Sequence, residues 1–336
     1  MRVASLLLIY NGVDISEDIA SMVVGFSYTD YSDGKADSIL VEVEDTKQLW
    51  KNSWFPSKGA KLRPVIVCEN CYKTGDILML ETGSFEIDGV TASGPPEVVK
   101  MKGVSSPITK SIRRQKRTKA WESTTLEGIA RELVGNHGLS LFYSADTLSF
   151  DRLDQRDESD LSFLHRLCRE NGLQLKVSNE KVILFAGKNI EAAESSYEID
   201  KSDPDLLTYS LDTKSHDIYS SCTVKYWDAK QKSESIHTFT PPDSLIVGHV
   251  LQINKRVESL SEAQRRAVSE LRRKNQNETK ISLSFVGNPN LRSGLNIDLT
   301  GFGAFSGKYF IDEARHQQSI GSGYTTNIDA HKVLEY

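Results

Sequence analysis

The sequence predicts a mainly β protein of the α+β class, with two β-barrel or β-sandwich domains flanking a small α+β insert. Three observations carry this. A short pattern occurs twice, as Gly83-Ser-Phe85-Glu-Ile87-Asp88 and as Gly307-Lys-Tyr309-Phe-Ile311-Asp312, each downstream of a Gly-x-x-apolar strand start at 59–62 and 294–297. The stretches around both copies alternate apolar and polar residues, the signature of half-buried strands. Residues between about 107 and 190 change to helical periodicity. Copies this far apart exclude a solenoid, whose units recur within roughly 50 residues. The expected units are 1–106, 107–190 and 191–336.

Met1-Arg2 and the apolar run after it imitate a signal peptide, but no small-residue cleavage site follows. Asn11-Gly12 is a hairpin turn signal, so the run is a first strand. Strands are then expected at 38–44, 61–68, 77–81, 84–90 and 97–104. Ser93-Gly94-Pro95-Pro96 makes a turn, because prolines cannot donate to a ladder. In the insert, Thr124-Thr-Leu-Glu127 reads as a capping box. Leu126, Ile129, Ala130, Leu133 and Val134 form the stripe behind it, and Gly135 or Gly138 ends the helix. A second helix has Asp157, Glu158 and Asp160 at its positive end and Leu161, Leu164, Leu167 and Cys168 as its stripe, and Gly172 stops it. A strand pair at 173–177 and 181–185 completes the insert. Strands return at 221–227, 235–240, 248–257, 280–286 and 295–301, interrupted by one helix capped by Ser259-Leu-Ser-Glu262.

The chain has 336 residues, 38% hydrophobic and 26% charged, enough for two or three cores. A net charge of −5 argues against a dedicated nucleic-acid binder. No run approaches the roughly 18 apolar residues of a membrane helix. Four scattered cysteines, Cys68, Cys71, Cys168 and Cys222, are too few for a disulfide framework, so reduced thiols and cytoplasmic synthesis are expected.

Two ordered blocks carry a resemblance. One runs from Arg117 through Trp121, Thr124 and Leu126. The other holds Gln155, Glu158, Ser159, Asp160, Phe163, Leu164, Arg166 and Gly172. Together with the stretch from Gly83, Phe85, Ile87 and Asp88 to Pro96, they resemble the phage late control gene D family. These are baseplate hub proteins of contractile tails and tail-like bacteriocins, related to the hub part of type VI valine-glycine-repeat spikes. The resemblance implies a non-enzymatic homotrimer without cofactor or metal, whose tube-like β domains give six similar units around a channel. It implies docking on the hexameric inner tail tube, contacts with other baseplate and tape-measure proteins, and DNA only as passing cargo. No membrane binding is implied, and the location is a virion or tail-like baseplate assembled in the bacterial cytoplasm. Because the sequence ends at Tyr336, the trimeric spike is expected to be a separate protein. A type VI or extracellular injection hub fits the same resemblance.

Several residues could carry chemistry, and each has a structural explanation beside it. Cys68-x-x-Cys71 is half a zinc site that His165 and Cys168 could complete, but a lone CxxC lacks its partner pair and no metal is expected. Lys110, Arg113, Arg114, Lys116, Arg117 and Lys119 could touch phosphates or an acidic neighbour, although such a run is more often a solvated connector. Glu158, Asp160 and Glu170 suggest glycosidase carboxylates, yet the first two are explained by a helix start. Tyr226 and Trp227 read as sheet packing. No nucleophile elbow, P-loop or dinucleotide motif is present. A peptidoglycan-binding or peptidoglycan-cleaving insert is the alternative of another class.

Overall fold

Alternating apolar residues build the first β unit: β1 (Val3–Tyr10), β2 (Val13–Asp14), the one-turn α1 (Ser16–Ile19), β3 (Val23–Tyr31), β4 (Ser38–Glu44), β5 (Lys61–Glu69), β6 (Ile77–Glu81), β7 (Phe85–Ser93) and β8 (Val98–Val104). Every second residue of β4 faces inward, with Ile39, Val41 and Val43 at most 1% exposed. This computed structural model describes residues 3–105, 111–178, 180–228, 232–242, 249–257 and 259–336.

The insert follows, with β9 (Lys116–Thr125), α2 (Leu126–Asn136), β10 (Ser140–Ser144), β11 (Ser149–Ser159), α3 (Asp160–Glu170), β12 (Leu173–Ser178), β13 (Lys181–Ala186) and α4 (Gly187–Ala192). Its core is the apolar stripes of α2 and α3 against β12 and β13. Thr125 caps α2 by accepting from the Gly128 amide at 3.1 Å, so the cap lies one residue after the expected Thr124. Ser159 caps α3, and Asp157 and Glu158 belong to β11, not to the helix start expected for them. The antiparallel β9–β11 ribbon was not anticipated, because its polar alternation hides strand character.

The rest of the chain forms β14 (Tyr197–Asp200), β15 (Leu206–Thr213), β16 (Ser221–Asp228), β17 (Ser233–Phe239), β18 (Val250–Val257), α5 (Leu260–Asn275), β19 (Thr279–Val286), β20 (Asn296–Thr300), β21 (Gly307–Ser319) and β22 (Gly323–Lys332). The expected start of β18 at 248 lies outside the described residues. Ser259 caps α5 as expected. Two apolar clusters occupy this region: the first spans β14, β15 and β19–β22, and the second packs α5 on β16–β18. The fold is mainly β. No described helix is long and apolar enough to cross a membrane.

One 14-stranded sheet runs through both β-rich regions of the chain in the order β15-β19-β22-β21-β3-β4-β8-β7-β5-β1-β2, with β14, β20 and β6 attached at its sides. When the six main strands of each β unit are counted in chain order, both units follow the order 2-3-6-5-4-1: β3-β4-β8-β7-β5-β1 and β15-β19-β22-β21-β20-β14. The outermost strand differs, since β1 is antiparallel to β5 and β14 is parallel to β20. The β16–β18 and α5 module is spliced between the second and third strands of the second copy.

Candidate functional site: the paired β units and their brace

The twice-occurring motif occupies the same place in both units. Gly83 and Gly307 precede or open the fifth strand at φ +93° and +128°, where non-glycine residues are strained. Phe85, Ile87, Tyr309 and Ile311 are at most 1% exposed. The register slips at the aspartate each time, between Ile87 and Gly89 and between Ile311 and Glu313, so Asp88 and Asp312 are bulge residues. The strand starts match too: Gly59 donates its amide to Ile87 O at 2.8 Å, and Gly294 donates to Ile311 O at 2.8 Å. Across the sheets, Ile87-Gly103-Ile39-Tyr28 in one unit corresponds to Ile311-Ala330-Ile281-Leu211 in the other. A further bulge recurs at the equivalent Val24 and Leu207. The agreement in order, register and bulges extends beyond the two strands that carry the motif.

The two units are joined by strand pairing. β21 bends at Asp312; before it the strand pairs with β20, and from Glu313 to Ser319 the same edge pairs with β3 of the first unit. Buried side chains line this junction. His316 is fully buried, with Nδ1 2.8 Å from the Tyr324 hydroxyl and Nε2–H donating to Leu291 O at 3.0 Å. Burial pushes its pKa down to about 4, so it is neutral near pH 7. Its ring stacks on Tyr28, and Tyr324 enters the first unit's core beside Phe26. Gly287 is required here, because a Cβ would stand 1.9 Å from the Tyr324 ring.

The insert braces the junction. Lys176 on β12 reaches Asp30 and Tyr31 O on β3 and lies 3.4 Å from Asp37. Burial pushes Asp37 up to about 7, with Lys176 opposing and Asp30 adding to the rise. Leu175 N donates to Asp33 at 2.7 Å. On the other side, Arg266 of α5 meets Glu170 of α3 at 3.0 Å, and Arg272 binds Glu191 of α4 at 2.6 Å. His331 of β22 lies 2.8 Å from Asp312 and 3.8 Å from Glu191. Burial lowers its pKa, but those carboxylates outweigh it and hold the ring up at about 9.

The remaining motif residues converge inside the insert. Asp160 is buried, and Arg117 at 2.7 Å, His137 at 2.8 Å and Gln155 Nε2 at 2.9 Å all reach it. Glu158 is held by Arg166 at 2.6 Å, which also donates to Asp154 O at 3.0 Å. Trp121 stacks on Phe163, with Lys119 Nζ 3.6 Å above the indole. Leu126, Phe163 and Leu164 are fully buried, and Gly172 ends α3 at φ +73° against Ser269. Thr124 carries no helix cap. His137 completes this network and was missed, because a lone histidine near a helix end gives no pattern to read.

Other candidates resolve differently. Glu158, Asp160 and Glu170 each have a cationic partner, the last 3.8 Å from Arg166, so this trio offers no free carboxylate pair. Lys116, Arg117 and Lys119 lie on β9 and are ion-paired to Asp157, Asp160 and Glu132, with Lys116 exposed and the other two half-buried, so the run is solvent-facing but partly strand; Lys110 lies outside the described residues. Arg113 ends a 3-10 turn and Arg114 is exposed. Cys68 and Cys71 are joined as a disulfide within the first core, which corrects the expectation of reduced thiols, while Cys168 sits in the insert core. Burial raises the Cys168 thiol pKa far above its usual value. Among the described residues no three His, Cys, Asp or Glu converge as metal ligands. Tyr226 packs against the α5 cluster and Trp227 sits beside it on β16.

Comparison with known proteins points the same way. No family model matches the chain. A probable baseplate hub protein of Escherichia phage P2 is 25% identical over 230 residues, covering 67% of this chain and 56% of that protein. The probable baseplate hub protein of Escherichia phage 186 is 24% identical over 190 residues, covering 56% and 46%. The chain thus matches about half the length of these relatives. Among solved structures, a tail protein from Neisseria meningitidis MC58 superposes with a TM-score of 0.72 at 10% identity, covering 98% of this chain and 97% of that one. A type VI secretion component from E. coli, described as similar to T4 tail proteins gp27 and gp5, gives 0.53 at 11% identity over 94% and 74%. The chain is therefore related in sequence to the probable baseplate hub proteins of phages P2 and 186, and it shares the fold of phage tail and type VI secretion proteins.

Proposed function

We propose that the chain is a structural hub of a contractile tail baseplate or tail-like particle, acting by interface complementarity and not by catalysis. The observation that carries this is the pair of β units with one strand order, already joined edge to edge within the chain. Three such chains supply six like units, so a threefold assembly presents near-sixfold symmetry. One face of that ring meets a hexameric inner tail tube, and the other holds a trimeric spike. Residues 1–106 and 191–336 are the tube-facing units, and 107–190 is the brace between them. A type VI or extracellular injection hub uses the same geometry, and the fold shared with a type VI component favours keeping it as the second reading.

The test is co-purification. The chain is produced with the tube and spike proteins encoded beside its gene, and complexes are isolated through a tag on the spike. A complex holding the hub at three copies per spike trimer supports the reading; a hub that binds neither partner contradicts it.

A further inference from the structure

The junction inside the chain is half of a repeating contact, and the other half is exposed. Beyond its bulge, β21 receives β3, with His316 opposite Tyr28, Arg315 opposite Thr29 and Ala314 opposite Asp30. In the first unit the equivalent of β21 is β7, and beyond its bulge at Asp88 the same edge, from Gly89 to Ser93, pairs with no strand among the described residues. In the second unit the equivalent of β3 is β15, which pairs with β19 on one side and ends the sheet on the other. Burial follows occupancy. Phe26, Tyr28, Thr29 and Asp30 are 4–7% exposed where the contact is made, whereas their counterparts Tyr209, Asp212 and Thr213 are exposed and Leu211 is half-buried. Ala314 and His316 are fully buried, while the matching Val90 is half-buried and Ala92 exposed. Leu207 and Tyr209 are exposed apolar side chains on a sheet edge, 51% and 45%, which isolated chains seldom leave uncovered.

We infer that β15 of one copy of this chain adds to the Gly89–Ser93 edge of the next, antiparallel, in the register the intrachain junction dictates. Position by position, Val90 faces Thr213, Thr91 faces Asp212, Ala92 faces Leu211 and Ser93 faces Ser210 of the neighbouring copy. The ladder stops there, because the turn at Gly94 and two prolines follow. The edges are complementary, not self-matching, so the contact is head-to-tail and closes into a ring when its rotation permits. The occupant is a second copy because the molecule already contains one example of the contact, between equivalent strands at equivalent positions. This rests on the hub reading only for the number of copies.

Cysteine pairing tests the register in the full chain. Thr91 and Asp212 are exposed, so Thr91→Cys and Asp212→Cys leave the folded chain intact. The native thiols Cys168 and Cys222 are buried, and Cys68 and Cys71 are bonded to each other. Mixing the two single variants under a mild oxidant is expected to give a disulfide-linked dimer, and a chain carrying both substitutions is expected to give a covalent trimer. Thr91→Cys mixed with Thr208→Cys, four residues out of register, is expected to stay unlinked. Failure of the first pair to link, equal linking of the out-of-register pair, or linking of one variant to itself overturns the pairing. Light scattering separates the failures: a trimer without the 91–212 link keeps the ring and removes this contact, and a monomer at all concentrations removes both.

Discussion

At the scale of single residues, the molecule invests its buried charge in fixing how elements meet. Asp160 ties β9, the end of α2 and β11 through Arg117, His137 and Gln155. Asp160→Ala leaves a partly buried guanidinium without its carboxylate and is expected to cost about 3 kcal/mol, read as a lowered urea midpoint. His331 gives a pH signature. Its folded pKa of about 9 exceeds the unfolded 6.5, so its stabilisation is complete below about pH 6.5 and is lost as pH rises through about 9. His331→Gln is expected to be less stable than the wild type by up to about 3 kcal/mol at pH 6, with the gap closing by pH 9.5 in denaturation curves. His316 has the opposite sign: neutral and buried, it costs stability as pH falls from about 6.5 toward 4. Little of this was legible in the sequence. Asp160 and Gln155 stood in a motif block, but their partner His137 and the two junction histidines are isolated in sequence and gather only through long-range pairing.

At the scale of elements, helices were legible and paired polar strands were not. The stripe on α2 lies where the periodicity puts it, and on α3 Leu164, Leu167 and Cys168 do as well, while Leu161 is half-buried and Phe163, outside the expected stripe, is fully buried. The α2 cap was misplaced by one residue, since either Thr124 or Thr125 has a competent hydroxyl and only backbone geometry chooses. Thr125→Ala is therefore expected to cost about 1 kcal/mol and Thr124→Ala a few tenths, as thermal shifts of the purified chain. Leu164 is fully buried, so Leu164→Asp places an unpaired carboxylate in the insert core and is expected to abolish soluble protein; wild-type melting in that variant would remove α3 from the core. The strands β3, which carries the junction within the chain, and β15, its counterpart in the second unit, went unread. β15 mixes polar and apolar residues on a sheet edge that is mostly exposed in the single chain, so it lacks the apolar alternation of a half-buried strand. The carboxylates at 157 and 158 looked like a helix start because composition alone does not separate a bulged strand end from an N-terminus.

At the scale of the whole molecule, duplication was legible from two six-residue patterns because bulges and positive-φ glycines are geometric demands that sequence must meet twice. What the sequence did not reveal is that the copies form one continuous sheet, with β3 seated on β21. In the proposed assembly that contact makes the two β units a segment of a ring, and its unoccupied equivalent is where the next copy attaches. The central claim is a ring of six β units from three chains. It is tested most directly by a three-dimensional electron-microscopy image of the purified assembly. The account predicts three chains around one axis, six matching β units, and continuous strand pairing across every unit boundary. A two-fold dimer, a ring of six chains, or three chains whose β7 and β15 edges stand apart would contradict it.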